Sequence, residues 1–382
     1  MTRGERKTIV FPQGQVRAPA FLPDATLGVV RSLDSLDLER CGIEAVVMNT
    51  FHLMQRPGSS TIKALGGLHR MSGWRRPIVT DSGGFQAYSL IRENPAFGSI
   101  TDRGISFQPE ASSRKFHLTP EKSVQLQIAY GSNIVICLDD CTHPEDSLEV
   151  QKLSVDRTIK WGRRSKDTFR QIIDQKGLTG TERPLLFAVI QGGNSFELRK
   201  RCADNLLEMG FDGFGFGGWP FDKQRNLLLD VIAYTRELIP ASYPIHALGI
   251  GHPVNIAAAF GAGYDLFDSA LPTRDARNGR LYGLGDGPSS FPDDFGGDWF
   301  SYVYISDKKW IKDDGPLFAS CDCYSCASYS IGYLHHLFKI SDSLFFRLAT
   351  IHNLRFMTRL TEHLGADRVA KTPSSMLVTD EG

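Results

Sequence analysis

Seven cysteines are spread over 382 residues, and three of them, Cys321, Cys323 and Cys326, fall inside the six-residue stretch CDCYSC. Thiols at C-x-C-x2-C spacing form a metal knuckle: three thiolates on one tight turn supply three corners of a tetrahedral zinc site. The fourth ligand must come from further along the chain, where His335, His336 and His352 are available. Four protein ligands close the coordination sphere, so the zinc would be structural, pinning a loop to a helix rather than activating water. Cys41, Cys137, Cys141 and Cys202 are scattered and read as small buried residues.

A second group of chemistry-bearing residues sits just after short apolar runs: Asn49, Asp81 with Ser82, Asp139 with Asp140 and Cys141, Gln191, Gly217 with Gly218, Gly249 and Gly251, and Asp268. Each alone has an ordinary explanation, since Asp or Ser after a strand is commonly a helix cap and Gly a turn residue. Carboxylates at three strand ends together with two carboxamides have a joint use. Asp81 and Asp268 facing one pocket are the equipment of glycosidic-bond chemistry, one meeting the sugar carbon and the other handling protons. Asp139, Gln191 and the Gly218 amide can read the edge of a heterocycle, and Phe85 can cover its face.

These residues need a scaffold that brings strand ends together. The apolar runs AFLPDAT, EAVVMNT, RPIVTDSGG, NIVICLDDC, PLLFAVIQGG, GFGFGG, IHALGIG and DLFDSALPT alternate with segments of helical periodicity. Eight such units in roughly 250 residues predict a (β/α)8 barrel over residues 8–282, whose active site lies at the C-terminal ends of its strands. Residues 283–300, rich in Gly, Pro and Asp, read as an irregular loop. Residues 301–365 carry the knuckle and two apolar-faced helices packed on the barrel, and 366–382 read as a frayed tail.

With 41% hydrophobic and 23% charged residues, the composition is that of an ordinary globular chain. Formal charge is zero, so a nucleic-acid contact would rest on a local basic patch; Arg274, Arg277 and Arg280, close behind Asp268, are such a patch, with a solvated loop paired to Asp275 as the plainer reading. No apolar run is long enough to span a membrane, and the N-terminus lacks a signal-peptide core, which points to the cytoplasm and reduced thiols.

TDSGGFQ (80–86), VIQGG (189–193), FDSALPTRDARNG (267–279), MNTFHLMQRPG (48–58) and the knuckle followed after twenty-five residues by His352 occur in order over about residues 8–365. Together they resemble the tRNA-guanine transglycosylase family, bacterial type, of the queuosine pathway. The resemblance implies a zinc-containing (β/α)8 barrel that exchanges guanine at the wobble position of G-U-N anticodon tRNAs for a free 7-deazaguanine, with no nucleotide cofactor. It implies Asp268 as nucleophile toward ribose C1′, Asp81 as general acid/base, and Asn49 as the group that orients the nucleophile. Ser82, Asp139, Gln191 and Gly218 would hold the base under Phe85. Arg274, Arg277 and Arg280 would meet the anticodon loop, Cys321, Cys323, Cys326 and His352 would bind Zn2+, and the protein would be a homodimer.

The chain departs from the bacterial pattern at GGWPFDKQ (217–224), where a Leu-Ala-Val-Gly-Glu run is usual and the Glu helps to recognise the aminomethyl group of the prequeuosine base. Lys223 stands at the acid's position, with Asp222 one residue away, and Leu248 replaces a methionine that often covers the base. A lysine repels an amine, which favours queuine as the incoming base. No sequence is left after residue 365 for the extra RNA-binding domains of the archaeal enzymes. A non-catalytic accessory subunit would be expected to lack a catalytic carboxylate, and both are present.

Overall fold

The computed structural model describes residues 7–109, 115–285 and 290–370. Eight parallel strands form the central sheet: β1 (Ala20–Pro23), β2 (Val46–Asn49), β3 (Ile78–Asp81), β4 (Ile134–Ile136), β5 (Leu185–Ile190), β6 (Gly213–Phe216), β7 (Ile245–Ala247) and β8 (Leu266–Ser269). Each pairs with its sequence neighbour from β2 through to β8, and β8 pairs with β1. The ring closes where Asp24 bridges to Val47 and the Ala25 amide donates to the Val47 carbonyl at 2.6 Å. All eight predicted runs contribute a strand.

The strands are short because each does one job: a few β-branched or aromatic residues span the wall and a polar residue ends it. Alternation divides the wall into two apolar sets. Leu22, Val47, Val79, Ile134, Ile136, Val189 and Leu266 point inward and fill the barrel. Phe21, Val46, Met48, Ile78, Val135, Leu186, Ile190, Phe214, Ile245 and Phe267 point outward against the helices. Two residues beyond Val47, Val79, Val189 and Leu266, the same period turns Asn49, Asp81, Gln191 and Asp268 inward at the C-terminal mouth. The N-terminal hairpin, Thr8–Phe11 with Gly14–Arg17, places Phe11 and Val16 against the inner set.

Helices return the chain between strands with local start and stop signals. Ser147 caps Leu148–Lys176, which ends at left-handed Gly177; Thr119 caps Pro120–Tyr130, which ends at left-handed Gly131. A three-stranded antiparallel insertion, Gly98–Thr101, Gly104–Phe107 and Phe116–Leu118, interrupts the alternation between β3 and β4.

The C-terminal layer is built on the helix Ser343–Ala370. Arg347 makes two 2.7 Å bonds to the buried Asp37 carboxylate on the helix Ser35–Arg40, clamping the layer to the barrel's outer ring. Asn353 accepts from the Tyr282 amide at 3.0 Å and donates to Pro272 O and Arg280 O, so the helix also holds the segment that follows β8. Two sequence expectations change here. The stretch read as irregular, 283–300, begins and ends in an antiparallel ribbon, Arg280–Leu284 with Phe300–Tyr304, whose alternation is hidden by the intervening Gly and Pro. The last helix continues past 365 to Ala370; of the expected tail, 371–382 lie outside the described residues.

Candidate active site and metal centre

A cavity of about 420 Å³ opens at the C-terminal mouth of the barrel, lined by Asp24, Asn49, Asp81, Ser82, Phe85, Asp139, Gly218, Trp219, Leu248 and Asp268 among others. This volume lies in the range of small-molecule sites. Of the sequence-predicted site, Asn49, Asp81, Ser82, Phe85, Asp139, Gly218 and Asp268 are therefore brought to one place; Gln191, fully buried, reaches it through Asp139.

Asp81 ends β3 and is held by three donors: Asn49 Nδ2 to Oδ2 at 2.6 Å, and the Thr50 and Gly83 amides to Oδ1 at 3.2 and 3.1 Å. Burial nevertheless pushes its carboxyl up to about 8; the Thr50 amide pulls it back, and the charges of Asp268 and Asp24 raise it further. A carboxyl that titrates near neutrality can both give and take a proton, which is what a general acid/base requires. The structure corrects the expected placement of Asn49. Its amide nitrogen is aimed at Asp81 rather than Asp268, while its Oδ1 accepts from His52 N at 3.0 Å and caps the helix Thr50–Leu53. The reason is register: Asn49 lies opposite Asp81 on the adjacent strand.

Asp268 ends β8 across the mouth. Its Oδ1 accepts from the Gly249 amide at 3.0 Å, and His246 Nε2 lies 2.9 Å from the same oxygen. Asp139, following β4, accepts from Gln191 Nε2 at 2.6 Å. Burial raises its carboxyl to about 6, opposed by the Gln191 bond and reinforced by Asp140. Gly218 takes a left-handed φ of 90°, where a Cβ would come within 3.3 Å of Gln191 Oε1. Arg199, fully buried on the helix Phe196–Met209, donates to the carbonyls of Ile190, Gly193 and Gly217 and lies 4.1 Å over the Phe216 ring. It fixes the two loops that carry Gln191 and Gly218. Ser82 lines the cavity, and its hydroxyl accepts from the Gly84 amide at 3.2 Å.

At the rim Phe85 and Trp219 are both exposed, with ring centroids 5.7 Å apart. Lys223 forms an ion pair with Glu145. Asp222 is committed to its own turn, accepting from Asn226 N at 2.7 Å and Nδ2 at 3.0 Å, so it does not stand in for the absent acid. The arginines divide. Arg280 pairs with the buried Asp275 carboxylate and lies over the Tyr302 ring, the plainer of the two sequence readings. Arg274 is exposed and Arg277 half-buried, its guanidinium held below its ordinary range by burial and by the charge of Arg31.

Sequence reasoning passed over Asp24, His52, His246, Arg199 and Arg31. Asp24 was readable, since it follows β1 as the other acids follow their strands. Its carboxyl is raised by burial against hydrogen bonds from Thr26. Arg199 carried no local signal, because its partners are backbone atoms of distant loops.

The four ligands that the resemblance implies come together as a group that could hold a metal ion. Cys321, Cys323, Cys326 and His352 are all buried, with their ligand atoms within 4.8 Å of one another. His352 Nδ1 lies 3.8, 3.7 and 3.3 Å from the three sulfurs in turn. A tetrahedron with bonds of about 2.3 Å to sulfur and 2.0 Å to nitrogen has edges of about 3.5 Å, so the donors fit one ion. His352 Nε2 donates to Tyr282 O at 2.7 Å, which leaves the Nδ1 lone pair facing the sulfurs. His335 instead bonds the Ile305 carbonyl at 2.7 Å.

The fold and site define a closed parallel barrel with carboxylates gathered at its mouth and a Cys3His cluster that could hold a metal ion in its C-terminal layer. Comparison with known proteins agrees. A family model described as "Queuine tRNA-ribosyltransferase" matches residues 2–367. Proteins named queuine tRNA-ribosyltransferase are similar over nearly the whole chain. That of Psychrobacter sp. (strain PRwf-1) is 39% identical over 94% of this chain and 88% of its own length. That of Mannheimia succiniciproducens is 37% identical over 95% and 89%, and that of Thermoanaerobacter sp. (strain X514) 36% over 92% and 87%. The chain belongs to the queuine tRNA-ribosyltransferase family, the tRNA-guanine transglycosylases of queuosine modification, and is a pentosyltransferase of that class. Among the described residues no helix is long and apolar enough to cross a membrane.

Proposed function

We propose that the chain replaces guanine at the wobble position of G-U-N anticodon tRNAs by double displacement, with queuine as the incoming base. The observation that carries this reading is the pair Asp81 and Asp268, turned inward from two strand ends onto one cavity. In the first displacement an Asp268 carboxylate oxygen bonds to ribose C1′ and the C1′–N9 bond breaks, its electron pair leaving with guanine, which takes the Asp81 proton. In the second, the ionised Asp81 accepts the N9 proton of the incoming base. That N9 pair attacks C1′ and the Asp268 carboxylate is released. Asn49 serves Asp81 through its 2.6 Å bond.

Asp139, bound to Gln191, accepts the paired N–H donors of a guanine-type edge, with Ser82 and the Gly218 backbone beside it and Phe85 over the ring. A flipped nucleotide of a single-stranded loop reaches such a pocket, and Arg274 and Arg277 meet its phosphates. The groups of the metal centre fit Zn2+, which when bound fixes the knuckle to the last helix. The queuine reading is supported by the exposed Phe85–Trp219 wall, which suits the larger substituent on the aminomethyl nitrogen. A cytoplasmic homodimer joined through the zinc-bearing region belongs to the same proposal and is checked by sedimentation equilibrium.

The test is competition between labelled prequeuosine base and queuine for one unmodified tRNA. Preference for queuine supports the reading, and clear preference for the aminomethyl base contradicts it. An accessory-subunit role would instead give no incorporation of either base.

A further inference from the structure

We infer that His246 is a positioning residue for the nucleophile, selecting Oδ2 of Asp268 as the attacking oxygen. The inference rests on the reading of Asp268 as nucleophile. His246 occupies the middle of β7, opposite Gly215 of β6 and Leu266 of β8. Leu248, two residues on, packs with the inward apolar set, so the strand period turns the imidazole into the barrel interior. The side chain is fully buried, and among the described residues neither ring nitrogen has a hydrogen-bond partner. Leaving a buried imidazole unpaired is unfavourable, and an aliphatic residue in that layer would avoid it.

Oδ1 of Asp268 lies 2.9 Å from Nε2. The distance is that of a hydrogen bond but the N–H direction is off line, so a reorientation of the ring would make a hydrogen bond that the resting geometry leaves unmade. Oδ1 already accepts from Gly249 N at 3.0 Å. Both donors therefore converge on one oxygen, while among the described residues no donor is found on Oδ2. Oδ2 keeps its lone pairs for C1′. When Oδ2 bonds to C1′ and guanine departs with the C1′–N9 pair, Oδ1 becomes the ester carbonyl oxygen. In the second displacement the pair of the C1′–O bond returns to Asp268, and Gly249 N–H and His246 Nε2–H stabilise the charge that reappears. His246 does not line the cavity, so it acts through Asp268 and touches no substrate.

The test uses full-length protein and unmodified tRNA with a G-U-N anticodon, reading the denaturant-stable tRNA adduct in single turnover and steady-state guanine exchange. His246→Phe removes the donor and His246→Gln restores an N–H near the Nε2 position; Asp268→Asn is the control. A displaced attacking group loses on the order of 100-fold. We expect His246→Phe to slow adduct formation and kcat by about 30- to 100-fold, with KM for tRNA and guanine within about twofold, and His246→Gln to recover to within about tenfold of wild type. A folded His246→Phe that reacts at the wild-type rate overturns the inference, as does His246→Gln with a greater than tenfold loss. If His246→Phe fails to fold, the Gln variant alone decides by the same threshold. An adduct formed by Asp268→Asn would instead remove the nucleophile reading beneath it.

Discussion

Asn49→Ala tests the proposal that Asp81 is the acid/base carboxyl. Asn49 donates to Asp81 Oδ2 at 2.6 Å, and the carboxyl, pushed up to about 8 by burial, depends on its few donors to ionise at all. A hydrogen bond to a carboxylate is worth about 1.5–3 kcal/mol and one to a neutral acid about half that, so losing Asn49 disfavours the charged form by about 1–1.5 kcal/mol. At 1.36 kcal/mol per unit, the Asp81 titration rises by about one unit. Departure of guanine requires the protonated carboxyl, so the rate of adduct formation falls above this titration. The alkaline limb of the single-turnover pH profile should therefore move from near pH 8 in the wild type to near 9 in Asn49→Ala. The same change removes the cap on Thr50–Leu53 and costs about 1 kcal/mol of stability, seen as a lower Tm. Asn49→Asp keeps the capping oxygen but sets a like charge against Asp81, which should move the limb further up. A limb that stays in place in both variants would refute the assignment of Asp81 as the proton donor.

Three further outcomes follow from the geometry. In the proposed mechanism Asp139, raised to about 6 by burial, accepts the base edge when ionised, so KM for the free base should rise up to about tenfold per unit below pH 6 while KM for tRNA changes little; a flat profile would place base recognition elsewhere. Arg277→Ala should weaken tRNA binding and reduce its salt dependence by about one charge, whereas Arg280→Ala, which leaves the buried Asp275 carboxylate without its ion-pair partner and with the Tyr282 hydroxyl as donor, should lower Tm with a smaller effect on the salt slope. Cys323→Ala should reduce bound zinc from one equivalent to none by atomic absorption and loosen the Ser343–Ala370 layer to proteolysis; one tightly held zinc per folded chain would contradict the ligand set.

The barrel and most of its mouth were legible because the period-2 pattern is a local property: a run such as RPIVTDSGG states both the strand and the direction of the acid that ends it. The knuckle was legible for the same reason, three thiols on one turn. Choosing His352 over His335 and His336 by residues alone was not possible, since the deciding contact, Nε2 to Tyr282 O, joins residues 70 positions apart. Asn49 was assigned to the wrong carboxylate because the choice depends on lateral register between β2 and β3, which no single strand encodes. Arg280 looked available for RNA, yet folding buries Asp275 beside it and takes the charge. His246 could have been noticed as a polar residue at an inward position of IHALGIG, but its meaning depends on Asp268 arriving from the next strand.

The measurement closest to the central claim is incorporation of labelled guanine into an unmodified tRNA with a G-U-N anticodon, by wild type and by Asp268→Asn, with the denaturant-stable tRNA adduct scored in parallel. The account predicts incorporation and an adduct from the wild type, and neither from Asp268→Asn. Incorporation without any trapped adduct, or an adduct that survives Asp268→Asn, would contradict double displacement through this carboxylate.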